Sequence, residues 1–233
     1  MYRRVLLKLT GELFSSDRYN IDFEKVGTIA AYIAYLKSIH EIDLAIVLGG
    51  GNLFRGRNLK DSNFDRAQAD FIGMLATVMN GLALQGELNI LGVDSRVMSA
   101  LHVDQACEPY IRLKAMSHLN KDRVVILSGG SGRPFFTTDT TAALLAAELD
   151  CEILLKGSNV DGVYSADPKK DAGAVKYSTI SYQQAYQEGL MVMDNTAFAL
   201  CEREKIPIVV FDIGDLKNIE RIIEGERIGT LVA

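Results

Sequence analysis

The chain has 233 residues, of which 48% are hydrophobic and 24% charged, a composition typical of a globular protein that can bury a core. Its formal net charge of −5 argues against broad electrostatic binding to nucleic acid, although a local basic cluster can still hold a small anion. No apolar run approaches the ~20 residues needed to cross a bilayer. We therefore expect no nucleic-acid partner and no membrane partner.

The first predicted elements alternate between apolar strands and helices. The strand "RRVLLKLTG" precedes a helix in "DFEKVGTIAAYIAYLKSIH", for which Asp22 is the expected N-cap. The strand "IDLAIVLGGG" precedes a helix over residues 64–88. A further strand, "DRVVILSGGSG", precedes a helix in "TTDTTAALLAAELD" that Thr137, Thr138 or Asp139 caps.

The second half continues the alternation. It contains a strand and turn in "CEILLKGSNVDGVYSADP", a helix in "NTAFALCEREK", a strand in "IPIVVFDI", a helix in "LKNIERIIEG" and a last strand in "GTLV". This order predicts an α/β fold, a three-layer αβα sandwich around a mainly parallel sheet, in a single domain over residues 1–233.

The three cysteines and three histidines predict no metal or redox chemistry. Cys107, Cys151 and Cys201 are far apart and form no CxxC pair, which indicates reduced packing residues in a cytoplasmic protein. The histidines lack the spacing of zinc ligands, so we expect no protein-held metal.

Glycine-bearing loops follow four of the strands, at residues 9–11, 49–51, 128–132 and 156–158. One such loop needs only φ > 0 for a turn. Four of them, with Lys8, Arg55, Arg133 and Lys156 in or beside them, favour a phosphate site at the carboxyl ends of the strands. The P-loop, the GxGxxG and GxSxG motifs and the protein-kinase HRD and DFG elements are missing, so the spacing does not name the ligand.

Six segments then identify a family resemblance across almost the whole chain. They are "KLTGE", "GGGNLFRG", "ADFIGMLATVMNGLAL", "SGRPFFTTDTTAA", "VDGVYSADPKKD" and "VMDNTAFALCE". Together they resemble the bacterial uridylate (UMP) kinases of the amino acid kinase family. The resemblance implies Mg²⁺-dependent transfer of the ATP γ-phosphoryl group to UMP in pyrimidine nucleotide biosynthesis, an acceptor-binding N-terminal part, an ATP-binding C-terminal part, a cytoplasmic homohexamer, and allosteric regulation by GTP and UTP.

The resemblance implies three catalytic residues, Lys8, Arg55 and Asp194. Lys8 would neutralise charge on the transferring phosphoryl group, and the planar fork of Arg55 would grip the acceptor phosphate. Asp194 would position the lysine, or only cap the next helix. The expected ATP-binding residues are Lys8, Leu9, Thr10, Gly11, Gly51, Arg55, Lys156, Ser158, Asn159, Tyr164 and Asp167. Tyr164 is expected near adenine, and Asp167 near the ribose or Lys156.

On the acceptor side, the resemblance implies that UMP contacts two isolated positions and one loop. These residues are Gly50, Asp70, Ser131, Gly132, Arg133, Pro134, Phe135, Phe136, Thr137 and Thr138. Asp70 would hold the ribose. Phe135 and Phe136 either wall the base or pack in the core, and Thr138 either bonds uracil or caps the helix. Arg133 departs from the family pattern and either contacts phosphate or points into solvent.

The residues that bear on regulation match the family only in part. The segment from Leu13 to Asp22, "LFSSDRYNID", lacks the glycines that the family carries in its GTP-activation site, whereas Arg96 and Arg123 match positions linked to GTP. GTP activation is therefore left open. UTP inhibition is expected, because a uridine nucleotide can use the acceptor site.

Two alternatives remain at this point. A kinase for an amino acid carboxylate, such as aspartate or acetylglutamate, shares the fold and "VDGVYSADP", but "GGGNLFRG" and "PFFTTD" fit a nucleotide better. A nucleotide sensor without phosphoryl transfer would bind nucleotide and show no turnover, which the retention of Lys8, Arg55, Asp167 and Asp194 disfavours.

Overall fold

The computed structural model describes residues 2–56, 63–168, 170, 171, 173–190 and 193–233. The strands are β1 (Arg4–Leu9), β2 (Asp43–Leu48), β3 (Ser95–Ser99), β4 (Glu108–Pro109), β5 (Val124–Ser128), β6 (Ile153–Ser158), β7 (Val163–Tyr164), β8 (Lys176–Tyr177), β9 (Thr179–Ile180), β10 (Ile208–Asp212) and β11 (Thr230–Val232). The helices are α1 (Phe23–Ile39), α2 (Arg66–Ile90), α3 (Arg112–Leu119), α4 (Thr138–Glu148), α5 (Tyr182–Gln187), α6 (Asn195–Glu204) and α7 (Lys217–Ile223), with a 3₁₀ turn at Gly11–Phe14.

Nine of these strands form one sheet in the order β4-β3-β5-β2-β1-β6-β10-β11-β9. Every neighbouring pair is parallel except β10 and β11, which are antiparallel. The strands β7 and β8 form a separate antiparallel hairpin. The prediction of a mainly parallel sheet is confirmed. The reversed β11 follows from its connection, since α7 and the turn before Thr230 return the chain beside β10 in the opposite direction.

Helices cover both faces of the sheet, because successive side chains of each strand point to opposite faces. Leu6 of β1 packs in the cluster that holds the buried residues of α3, α4, α5 and α6. Its neighbours Val5 and Leu7 pack in the other cluster, with α1, α2 and α7. Central strands buried on both sides explain the continuous apolar runs of the sequence. The predicted three-layer αβα sandwich is confirmed.

The helix starts agree with the sequence at α1, decide between alternatives at α4 and differ from the prediction at α2. The Asp22 carboxylate accepts hydrogen bonds from the backbone N–H groups of Glu24 and Lys25, as predicted for an N-cap. Among the three candidates for α4, Thr137 is the N-cap. Helix α2 begins after Asp65, two residues later than predicted.

Several elements were not predicted from the sequence, namely the short strands β4, β8 and β9, the short helix α5, and the longer elements β3 and α3. Strand β3 lies beside β5, but its segment "SRVMS" contains three polar residues and shows no apolar run. Helix α3 has only eight residues, two of them buried, so its periodicity is short. Strand β3 and helix α3 lie toward one edge of the sheet, where tertiary pairing and not local pattern decides the structure.

Helix α2 passes a composition test for membrane crossing. Among the described residues it is the one helix that is long and apolar enough, with 25 residues and a window of mean hydropathy 1.2. In the fold one face of this helix packs in the core, since Leu84 and Leu88 are fully buried in the cluster with α1. The expectation that no segment spans a membrane therefore rests on this packing and not on hydropathy.

Candidate active site

Two cavities open at the carboxyl edge of the sheet, where the glycine-bearing loops were expected to meet. The first has a volume of about 580 Å³ and is lined by the loops after β2 and β5 and by the first turns of α2 and α4. The second has a volume of about 500 Å³ and is lined by the end of β6, the "VDGVYSADP" turn and residues 188–190. Each is large enough for a nucleotide-sized ligand.

Two lysines and one aspartate lie between these cavities. Asp139 places one carboxylate oxygen 3.2 Å from Nζ of Lys8 and the other 2.7 Å from Nζ of Lys156. Lys156 lines the second cavity, and Asp139 belongs to the first turn of α4, which lines the first. Asp139 had been considered only as a helix cap. Its partners are distant in the sequence, so no local pattern could have identified this role.

The three side chains form a largely buried cluster with a net positive charge. Burial alone would raise the pKa of Asp139, but the charges of Lys8 and Lys156 outweigh it and hold the pKa below its usual value. Burial lowers the pKa of Lys156, and the attraction of Asp139 only partly opposes that shift, since Lys8 repels it. Two cations with one anion attract phosphate, and low solvent exposure strengthens the interaction.

Arg55 lies at the mouth of the first cavity and contacts the first loop. Its Nε donates to the carbonyl oxygen of Gly51 at 2.9 Å, and its terminal nitrogen forms an ion pair with Glu12. The other carboxylate oxygen of Glu12 accepts a hydrogen bond from Asn159 at 3.4 Å. Glu12 therefore links an arginine expected at the acceptor phosphate to an asparagine expected at ATP. It was not among the predicted site residues.

The glycines at the strand ends serve different purposes. A Cβ on Gly50 would lie 2.6 Å from the carbonyl oxygen of Gly73 in α2, and one on Gly11 would lie 2.5 Å from that of Gly49. These two positions need glycine because backbones approach closely there. A Cβ on Gly51 would meet nothing within 4 Å, so this glycine instead leaves open space in the first cavity.

Asp70 organises the loop 131–138. Its carboxylate accepts a hydrogen bond of 2.8 Å from the backbone N–H of Phe135, which has a φ of +71°. Arg66, one helical turn earlier, lies 3.9 Å from the same carboxylate and 5.2 Å from the centre of the Phe135 ring. Asp70 also lines the first cavity, so the carboxylate is not a solvated surface charge.

The same loop settles several alternatives that the sequence left open. Phe135 and Phe136 are 61% and 52% exposed, which excludes core packing, and Phe136 lines the first cavity. Thr137 caps α4, so Thr138, which also lines this cavity, is free of the capping role.

The first half of the loop has an exposed cation, since Arg133 is exposed and lies at the cavity wall. Gly132 and Pro134 shape the loop, and Ser131 accepts a hydrogen bond from the backbone N–H of Arg133 at 3.3 Å.

Some residues expected at ATP can contact a ligand through their side chains, and others only through their backbone. Lys156, Ser158, Tyr164 and Asp167 line the second cavity. The Tyr164 hydroxyl donates to Asp161 at 2.7 Å, which anchors the ring at this wall. Leu9 is fully buried in the core, so only its backbone can face a ligand.

Thr10 and Gly11 complete the first loop. The Thr10 hydroxyl accepts a hydrogen bond from the backbone N–H of Glu12 at 3.4 Å, which fixes the 3₁₀ turn that carries Glu12 toward Arg55. The loop therefore presents a carboxylate to the site and packs its glycine against the second loop.

The amino acid kinase family model matches residues 3–212, which is most of the chain. This chain belongs to the amino acid kinase family. A solved structure of UMP kinase from Bacillus anthracis is similar to it, with a TM-score of 0.94 and 36% identity over 99% of this chain and 96% of that one. UMP kinase from Ureaplasma parvum gives a TM-score of 0.93 and 38% identity over 100% and 99%. Uridylate kinase from Archaeoglobus fulgidus gives 0.77 and 30% over the full length of both chains.

Within this amino acid kinase fold, Asp194 lies beside α4. It caps α6 by accepting from the backbone N–H groups of Thr196 and Ala197, each at 3.0 Å, and it accepts hydrogen bonds from the hydroxyls of Thr137 and Thr140. Burial would raise the pKa of Asp194, but these hydrogen bonds outweigh it and lower the pKa. The carboxylate thus ties α6 to the start of α4, while Asp139 makes the direct contact with both lysines.

The arginines linked by resemblance to GTP form a separate cluster of the amino acid kinase fold. Arg96 and Arg123 both pair with Asp94, the latter at 2.7 Å. Arg123 also contacts His118, which lies 3.2 Å from Glu108. None of these residues lines either nucleotide-sized cavity. The structure therefore keeps Arg96 and Arg123 together and apart from the candidate active site.

The described residues around the two cavities form no cage for a metal ion. Within the described ranges, no group of three His, Cys, Asp or Glu ligand atoms comes together at either one. Asp139 is engaged by two lysines. Mg²⁺ commonly binds through substrate phosphates, one or two carboxylates and water, so the residues here suit a magnesium ion that arrives with ATP.

Proposed function

We propose that this chain is a UMP kinase that converts MgATP and UMP into MgADP and UDP, a step of pyrimidine nucleotide biosynthesis. The observation that carries the proposal is the likeness to two UMP kinases over the whole length of the chain, at TM-scores of 0.94 and 0.93. The acceptor part is the first cavity, and the ATP part is the second.

The chemistry needs alignment and charge stabilisation more than a base. The phosphate of UMP is already ionised at neutral pH, so no residue has to remove a proton before attack. Lys8 and Lys156, held by Asp139 between the cavities, neutralise charge on the phosphoryl group in transfer. Asp194 supports this arrangement by fixing the first turn of α4.

Binding of UMP requires Arg55 to change partners. In this structure Arg55 is paired with Glu12, whose carboxylate stands where an anionic ligand would be held. The UMP phosphate replaces that carboxylate and receives the guanidinium fork, which also screens repulsion between the two anionic substrates. Asn159, released from Glu12, becomes available to ATP.

The wall of the first cavity supports a uridine nucleotide as acceptor. Asp70 offers a carboxylate to ribose hydroxyls, Phe136 offers an aromatic face, and Thr138 offers a hydroxyl to the base. Arg133 adds a cation at the same wall. UTP is proposed to inhibit through this cavity, since it shares the base and ribose. Regulation by GTP is proposed only at the cluster of Arg96 and Arg123.

A homohexamer in the cytoplasm is part of the proposal. Along α2, Phe71, Leu75 and Met79 follow one another at four-residue spacing and are 40%, 48% and 52% exposed. Such spacing puts them on one helix face, and an exposed apolar face of this kind is typical of subunit contacts. Light scattering of the purified chain tests the assembly.

The deciding experiment is release of ADP from MgATP with a panel of acceptors: UMP, dUMP, CMP, AMP, GMP, aspartate and acetylglutamate. Turnover with UMP and not with the amino acids is expected, and Lys8→Ala serves as the negative control. Turnover with aspartate or acetylglutamate would overturn the acceptor assignment. Binding of uridine nucleotides without turnover would instead indicate a sensor.

A further inference from the structure

A histidine and two glutamates meet away from the nucleotide cavities. His40 follows the end of α1, Glu220 lies within α7 and Glu224 directly follows α7. Helix α1 leads to the start of β2, and α7 begins after the end of β10, so both helices run toward the amino ends of the strands. The cluster therefore lies at the edge of the sheet opposite the candidate active site.

The side-chain atoms of this cluster converge. Nε2 of His40 lies 3.8 Å from Oε1 of Glu220 and 3.9 Å from Oε1 of Glu224. One ligand atom from each of the three residues lies within 4.8 Å of the others. Among the described residues, this is the one group of three potential ligand residues with such a spacing.

The ring nitrogen Nε2 of His40 is buried and unpartnered among the described residues. His40 is only 8% exposed, and Nε2 has no hydrogen-bond partner among the described residues although it faces two carboxylates. A buried polar nitrogen without a partner is costly, and such atoms in folded proteins normally have a protein, water or ion partner. The two glutamates are too far from it for a hydrogen bond.

The surroundings of Glu220 resemble the support that metal ligands receive. The hydroxyl of Tyr35 donates to Oε1 of Glu220 at 3.1 Å, and that of Tyr32 lies 3.4 Å from Oε2. Hydrogen bonds of this kind orient a coordinating carboxylate. The side chain of Glu224 is 48% exposed, which gives an ion a path from solvent to the buried histidine.

We propose that His40, Glu220 and Glu224 bind one divalent transition-metal ion of the zinc class, with water completing the coordination. Zinc bonds of about 2.0–2.2 Å place tetrahedral ligand atoms about 3.3–3.6 Å apart, so the observed 3.8 and 3.9 Å require only small side-chain rotations. An imidazole with two carboxylates suits zinc or cobalt better than magnesium or calcium. The ion joins α1 to α7 and stabilises the fold, with no part in phosphoryl transfer.

The test titrates the metal-free full-length chain with Zn²⁺ or Co²⁺ alone, without nucleotide. Calorimetry is expected to show one ion per chain that is lost in His40→Gln. Glu224→Gln is expected to weaken binding at least about tenfold, and Tyr35→Phe, which changes only the support of Glu220, by about 10–100-fold. Glu41→Gln, an exposed glutamate next to His40, is the matched control and should bind as the unchanged chain does. Bound Co²⁺ should give the intense visible absorption that is typical of tetrahedral coordination.

Two outcomes overturn the proposal. One is the absence of binding up to millimolar metal. The other is equal affinity of the unchanged chain and Glu224→Gln, which would mean that the bound ion is not held by Glu224 and lies outside this cluster. Because Glu224 is half exposed, its variant should fold and decides the matter even where His40→Gln does not. The kinase assay is not used, so failure of the proposed function would leave this result intact.

Discussion

Lys8 and Lys156 are register partners on the adjacent parallel strands β1 and β6. Both point to the face of the sheet that α4 covers, because Leu6 and Leu154, two residues earlier on each strand, pack in the cluster that contains α4. Two ammonium groups so placed repel each other, and Asp139 at the start of α4 forms an ion pair with each of them. The strand register thus builds the positive group between the two cavities.

Lys8→Ala is expected to lower turnover by ~10²–10³, the scale for removing one preorganised charge from a transition state. The KM values for UMP and ATP should change far less, because Lys156 still attracts the phosphates. Steady-state kinetics with both substrates measure this. Lys114→Ala, on an exposed face of α3, is the control, and an unchanged rate for Lys8→Ala would remove Lys8 from the mechanism.

Asp139→Asn is expected to lower both turnover and stability, since it removes the buried carboxylate that forms ion pairs with Lys8 and Lys156. Removing one member of such a group costs about 3 kcal/mol of unfolding free energy. The folded-state pKa of Asp139 lies below the usual 3.8. Its contribution is therefore present above pH 3.8 and is lost as the pH falls through that lower pKa.

Urea unfolding of the two proteins between pH 7 and pH 3 checks this linkage. The difference in unfolding free energy should be largest near neutrality and should narrow as the pH drops below 3.8. Asp17→Asn, at an exposed position, should show no such difference. A gap that stays constant across the whole range would mean that Asp139 acts without its charge.

Arg55→Lys is expected to be costly although it keeps the positive charge. The guanidinium bonds Gly51 through Nε and Glu12 through a terminal nitrogen, and an ammonium group cannot span both positions. We expect kcat/KM for UMP to fall about tenfold or more, the cost of a charged hydrogen bond. Arg203→Lys on α6 is the control. Kinetics like those of the unchanged chain would show that a point charge suffices.

Asp70→Asn is expected to raise the KM for UMP about tenfold and to leave that for ATP nearly unchanged. The asparagine oxygen can still accept from the backbone of Phe135, so the loop is kept while the charge at the ribose is lost. The preference for UMP over dUMP should shrink as well. Asp104→Asn is the control, and equal effects on both KM values would contradict the ribose assignment.

Thiol labelling is expected to distinguish the three cysteines. Burial raises the pKa of Cys151 and of Cys201 to about 12, whereas Cys107 is only half buried. At pH 8, Ellman's reagent should label at most Cys107 in the folded chain and all three thiols in denaturant. Cys107→Ser should abolish labelling of the folded protein, and fast reaction of a second thiol would mean that a buried cysteine opens to solvent.

Local patterns predicted most of the longer elements and the edge of the sheet at which the two cavities open. Apolar runs marked the central strands, helical spacing of apolar residues marked α1, and Asp22 marked a cap that the structure contains. Strand β3 was missed, because polar residues dominate its sequence and its place depends on pairing with β5. The family motifs supplied roles for Lys8, Arg55 and Asp70 that spacing alone did not.

By itself, the sequence determined the layered α/β architecture and the convergence of glycine-bearing loops, since both follow from periodicity and from the direction of parallel strands. Only the tertiary structure decided which charges meet. Asp139 bridges Lys8 and Lys156, Glu12 holds Arg55, and His40 faces Glu220. Each of these pairings joins residues on different elements, and their distances are set by strand register and helix packing, which no local pattern encodes.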